Sequence, residues 1–151
     1  MKSRKALLRV LLDTSFILPT LGIDVGEEAL MGLRKLTEAK TELYYSRFSI
    51  LESLWIAARL SKKRVFDMER FSQGLRSILE GHVYKRVEED SQIFRKALEL
   101  RMLGHMDMID NILYASSTSL NLKLLTLDTE LEIFIREKGL KNTLLFPSQI
   151  T

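Results

Sequence analysis

The chain contains no cysteine, which excludes disulfides, thiol chemistry and cysteine-ligated zinc or iron–sulfur centres. Histidine is nearly as scarce: the only two are His82 and His105, leaving little room for metal binding through imidazole. Two prolines and seven glycines in 151 residues are too few for a fibrous or disordered protein. No segment reaches the roughly 18 uninterrupted apolar residues of a membrane span. The basic start MKSRK followed by LLRVLL imitates a secretory leader, but Asp13 breaks the apolar run and no small-x-small cleavage site follows. The expectation is a cytoplasmic protein that does not engage a membrane. Charge of one sign is also missing: the net value is only +3, compatible with a polyanionic partner without requiring one.

What is present is an ordinary globular composition, 46% hydrophobic and 28% charged, at a length able to bury its own core. A single domain over residues 1–151 is expected, with no repeat, linker or low-complexity stretch. Leu7–Leu12 is a short apolar run without helical polarity and reads as a strand buried on both faces. After a turn containing Pro19, Gly22 and Gly26, residues 27–39 carry apolar positions at helical spacing. Glu42–Tyr45 reads as a second strand. Phe48 to Leu60 reads as a nearly all-round buried helix, with Trp55 in the core. Asp67 caps a further helix to Leu79. His82–Val87 alternates as a third strand, and Asp90–Leu103 repeats as a helix. There follow a helix over Asp107–Leu120, a strand at Lys123–Thr126, a helix at Thr129–Lys138 and a last strand at Thr143–Phe146. Alternating strands and helices predict an α/β fold: a central parallel sheet with helices on both faces, in three α/β/α layers. In such sheets ligands sit at the carboxyl ends of the strands, so acids that directly follow strands carry most weight.

Asp13 ends the first strand in LLDTS, and Asp128 follows the fourth in LLTLD, so both belong to the same end of the sheet. Glu52 lies in the otherwise apolar helix SRFSILESLWIAA, and Asp110 in the apolar helix DNILYASS. A carboxylate on an apolar helical face is expensive to bury unless it is paired or binds a metal. Oxygen donors without cysteine select hard cations, Mg²⁺ or Mn²⁺, and four converging acids make sense chiefly around such an ion. Each acid also has a structural reading: Asp13 as a turn former, Asp128 as the cap of the following helix, Glu52 as a partner for Arg59. Asp107 and Asp110, three residues apart, divide the roles: Asp107 caps the helix, and Asp110 lies one turn in, at its N-terminus.

In this order and spacing the four acids resemble the PIN-domain family of metal-dependent nucleases, which includes toxins of prokaryotic toxin–antitoxin pairs and archaeal stand-alone homologues. The resemblance spans essentially the whole chain. It is carried by LLRVLLDTSFIL, by Ser46, Ser49 and Glu52 in YYSRFSILESLW, by DNILYASS with Asp110, and by Thr126 and Asp128 in LLTLD. Tyr114 is larger than the small residue often found at its place in the third motif. The resemblance implies that Asp13, Glu52, Asp110 and Asp128 are catalytic and bind Mg²⁺ or Mn²⁺, with Ser15, Thr126 and Asp107 as secondary polar residues. It further implies endonucleolytic hydrolysis of RNA, leaving a 5′-phosphate and a 3′-hydroxyl, and as partners a small antitoxin protein and a second copy of the chain. The alternative is an inactive PIN-like domain that binds RNA or protein. An α/β phosphatase or receiver-like domain would use the first aspartate as acceptor, but a receiver's lysine after a late strand is replaced here by Thr126-Leu127-Asp128.

A phosphate-backbone track is sought in Arg47, Arg59, Lys62, Lys63 and Arg64, with Lys2, Arg4, Lys5, Arg9, Lys85 and Arg86 as further basic residues; binding through them weakens as salt rises. Lys62–Arg64 equally reads as a solvated helix end. His105, in a loop before a helix near Asp107, is read as touching neither substrate nor water.

Overall fold

The computed structural model describes residues 7–63 and 65–150. Five parallel strands form one sheet: β1 (Arg9–Leu12), β2 (Glu42–Tyr45), β3 (Lys85–Arg86), β4 (Lys123–Leu125) and β5 (Leu144–Leu145), in the order β3-β2-β1-β4-β5. The chain winds outward from β1 in one direction through β2 and β3, and in the other through β4 and β5. The switch point therefore falls between β1 and β4, where Leu12 pairs with Leu125.

Alternation along β1 creates the layers. Val10 and Leu12 face one core with Phe16, Ile17, Leu36, Phe71 and Ile78; Leu11 faces the other with Leu113, Tyr114, Leu124, Leu131 and Ile135. The first face is covered by α1 (Thr14–Ile17), α2 (Glu27–Glu38), α3 (Arg47–Ser61) and α4 (Met68–Leu79). The second is covered by α6 (Met108–Leu120) and α7 (Thr129–Glu137), with α5 (Ser91–Met102) packed on α6. This is the three-layer α/β/α architecture expected. Val10, Leu11 and Leu12 are wholly buried, and each such side chain contributes about 1.5–3 kcal/mol to stability.

Four strands are shorter than the sequence pattern suggests, β4 by the single residue Thr126. Leu7 and Leu8 are exposed and precede β1. His82 adopts a left-handed φ of 55°, which no strand residue tolerates, so pairing on that edge begins only at Lys85. The last strand contracts from Thr143–Phe146 to two residues, Phe146 being the cap of the turn Pro147–Gln149.

The α3 reading needs correction. The helix is not buried all round, and Trp55 is 56% exposed instead of being in the core. Its buried stripe is Ser49, Ser53 and Ala57, spaced by four residues, while Leu51 and Leu54 face outward. Small side chains let the backbone lie close to α1 and α6, and the large apolar residues are left on the outer face. The helix enclosed on nearly every side is α6, whose residues Ile109 and Asn111–Ser117 are all buried between α5 and the sheet. The hydroxyls this encloses are satisfied: Ser116 donates to Ile112 O at 2.7 Å, and Ser117 donates to Tyr114 O at 2.7 Å. Tyr114 fits in the third motif because its ring enters the second core and its hydroxyl donates to Lys141 O.

Candidate metal centre

Every acid singled out in the sequence belongs to an element that opens at the carboxyl edge of the sheet. Asp13 is the first residue after β1 and caps α1, its Oδ1 accepting the Ser15 N–H at 3.1 Å. Ser15 thus contributes a backbone donor. Thr126, fully buried after β4, joins two strand ends: its hydroxyl donates to Asp13 Oδ2 at 2.9 Å and accepts the Asp128 N–H at 3.0 Å. The threonine two residues before Asp128 therefore fixes both aspartates at the switch point.

Asp128 caps α7, accepting the Leu131 N–H at 3.1 Å, and Asp107 caps α6, accepting the Asp110 N–H at 3.1 Å. Capping does not remove Asp128 from the centre, since one carboxylate oxygen suffices for the cap. A ring nitrogen of His105 and carboxylate oxygens of Asp110 and Asp128 lie within 4.8 Å of one another. His105 is the residue that the sequence reading missed. The signal was the pairing of a loop histidine with an asparagine six residues on, a spacing without a familiar pattern.

Burial, with like charge added to it, acts on two of these acids. Burial raises the Asp13 carboxyl to about 6 against the pull of its Ser15 and Thr126 hydrogen bonds, and the charges of Glu52 and Asp128 add to the rise. Asp110 is pushed up to about 9, by burial first, then by the charges of Asp13 and Asp107 and by the carboxyl and charge of Asp128. Glu52, on α3, reaches this group through its charge on Asp13; among the described residues it has no ion-pair partner, Arg59 included. Among the described residues no cation forms an ion pair with any of the four acids. The ligand atoms gathered within 4.8 Å are those of His105, Asp110 and Asp128; Asp13 acts on Asp110 through its charge and Glu52 on Asp13, and neither is in that group. Its carboxylate oxygens are of the kind that a hard divalent ion takes.

The basic residues are divided. Arg47 opens α3 at the site's edge of the sheet and pairs with Glu88 at 3.7 Å. Arg59, Lys62 and Lys63 lie at the opposite end of α3, beginning roughly 18 Å along the helix axis from Arg47. Lys2, Arg4, Lys5 and Arg64 lie outside the described residues.

The model of the PIN domain family matches residues 10–136. The chain belongs to the PIN-domain family. Solved structures share the fold at low sequence identity. A toxin–antitoxin complex from Klebsiella pneumoniae aligns with TM-score 0.55 and 15% identity, over 91% of this chain and 97% of that one. PAE2754 from Pyrobaculum aerophilum aligns with TM-score 0.61 and 17% identity, over 93% and 85%. FitAB bound to an IR36 DNA fragment aligns with TM-score 0.57 and 16% identity, over 91% and 94%. A search of curated protein sequences found no match. In this PIN domain Asp13 and Asp128 directly follow β1 and β4, the two strands that flank the switch point.

Proposed function

We propose that this PIN domain is a metal-dependent endoribonuclease whose centre, Asp13, Glu52, Asp110 and Asp128, holds Mg²⁺ or Mn²⁺ and hydrolyses phosphodiester bonds of RNA. The observation that carries the reading is the gathering of Asp110 and Asp128 at one end of the sheet with Asp13, in surroundings that raise the affinity of Asp13 and Asp110 for positive charge. Membership of a family whose members are generally nucleases supports it. A divalent ion bound there supplies charge against the phosphodiester and lowers the pKa of water. Thr126 and the Ser15 amide hold Asp13 in one orientation, and the caps of α6 and α7 hold the chain entering Asp110 and Asp128. Arg47 stands on the same edge as a phosphate contact.

The likeness in fold to a toxin–antitoxin complex supports a toxin role with a small antitoxin protein as partner. The apolar outer face of α3 supports a homodimer, and an RNA substrate implies a cytoplasmic protein. Among the described residues no helix is long and apolar enough to cross a membrane.

The deciding experiment incubates the chain and Asp13→Asn with a mixed RNA pool in Mn²⁺, with and without chelator. Cleavage is expected from the wild type with Mn²⁺ alone, and the variant is expected to lose at least about a hundredfold in rate, as several kcal/mol of charge stabilisation disappear. Cleavage that survives both the substitution and the chelator refutes the reading.

A further inference from the structure

His105 stands outside the four-acid pattern, yet it is held more firmly than a loop residue needs to be. Gly104 takes a φ of 115°, open to glycine, and turns the chain so that the His105 N–H donates to Leu100 O at 3.1 Å. Asn111, wholly buried on α6, clasps the residue twice: its Nδ2 donates to the His105 carbonyl at 2.8 Å, and its Oδ1 faces the ring Nδ1 at 2.6 Å. Because the amide nitrogen is committed to the carbonyl, the amide oxygen is the acceptor, and Nδ1 carries the proton. The neutral ring then keeps its lone pair on Nε2. The Phe134 ring, at 5.1 Å between centroids, packs against the imidazole.

The ring lies within 4.8 Å of Asp110 and Asp128 oxygens, but it forms no salt bridge with either within 4.0 Å. That gap is too wide for a direct bond and suits a group held between them. With Nδ1 donating to Asn111 Oδ1, Nε2 is the nitrogen left free to bind, and a ring N–H donated to a carbonyl-type oxygen is the arrangement that orients metal-bound histidines.

We infer that His105 is a nitrogen ligand of the cation at the acidic centre, that Asn111 is its positioning residue, and that together they tilt the site from Mg²⁺ toward Mn²⁺. The inference rests on the reading of that centre as a cation site. Mg²⁺ prefers oxygen and retains water, whereas imidazole is a better donor to transition-metal ions.

The test uses the full chain, freed of metal and without RNA, titrated with Mn²⁺ and with Mg²⁺ by calorimetry, and examined with Mn²⁺ by pulsed electron paramagnetic resonance. A directly bound imidazole gives a ¹⁴N coupling, and His82 is the only other histidine, so one substitution assigns it. The wild type is expected to show the coupling. His105→Gln is expected to lose it and to bind Mn²⁺ about tenfold or more weakly, with Mg²⁺ affinity changed less than about threefold. Asn111→Ser is expected to weaken both the coupling and Mn²⁺ binding while leaving Mg²⁺ little changed. Bound Mn²⁺ without a ¹⁴N coupling in the wild type, a coupling that survives His105→Gln, or equal losses for both ions would overturn the inference and leave the cation site standing. Binding of neither ion by the wild type would overturn both.

Discussion

Asp107 and Asp110 show how one residue type takes two roles three positions apart. Asp107 turns back to accept the Asp110 N–H, a local hydrogen bond that any short acceptor at that position would make. Asp110 has its carboxyl among other carboxyls, and Asp107 adds to the charge that raises it. Replacing Asp107 by asparagine is therefore expected to cost about 1 kcal/mol or less, since asparagine still caps, and to leave RNA cleavage largely intact. Denaturant unfolding alongside the cleavage assay checks both halves. A loss of cleavage as deep as that of Asp13→Asn would show Asp107 to belong to the chemistry.

At the scale of an element, α3 is the instructive helix. Its sequence looks apolar throughout, and apolar content alone suggested burial on every side. The structure turns Ser49, Ser53 and Ala57 inward and leaves Leu51 40%, Leu54 45% and Trp55 56% exposed. Packing distance decided the orientation, because small residues allow the closest approach to neighbouring helices, a preference that hydrophobicity does not encode. The proposed homodimer would bury this outer face. If it joins two copies, the wild type sediments as a dimer and Trp55→Glu as a monomer. Stability of the folded subunit should change by no more than about 0.5 kcal/mol, as expected for an exposed position. A wild type that sediments as a monomer at high concentration would remove the homodimer from the proposal.

For the molecule as a whole, the acidic centre stores a penalty that depends on pH. In the metal-free protein the Asp13 carboxyl is raised from 3.8 to about 6 and that of Asp110 from 3.8 to about 9. Between the unfolded and folded values the native state binds more protons than the unfolded chain, so these two groups make stability fall as pH rises. Their penalty is absent below the unfolded values and complete above about 9. Melting temperature without metal is expected to decline from about pH 5 to about pH 8, and Asp110→Asn or added Mn²⁺ should flatten the decline. Thermal scans across that range provide the check; a melting temperature that rises with pH in the metal-free wild type, and is unchanged by Mn²⁺, would refute it.

The order of strands and helices, the parallel sheet and the caps of α4, α6 and α7 could be read directly from the chain, because periodicity and capping act within a turn or two of helix. The positions of Asp13 and Asp128 after apolar strands were equally legible, and the parallel sheet set them at one edge. Which acids meet could not be read locally. That depends on β1 lying beside β4, which brings residues over a hundred positions apart into hydrogen-bond contact through Thr126. The presence of His105 beside Asp110 and Asp128, and the outward turn of Trp55, were likewise decided only by tertiary packing. Both depend on how buried surfaces fit together, and no local pattern carries that information.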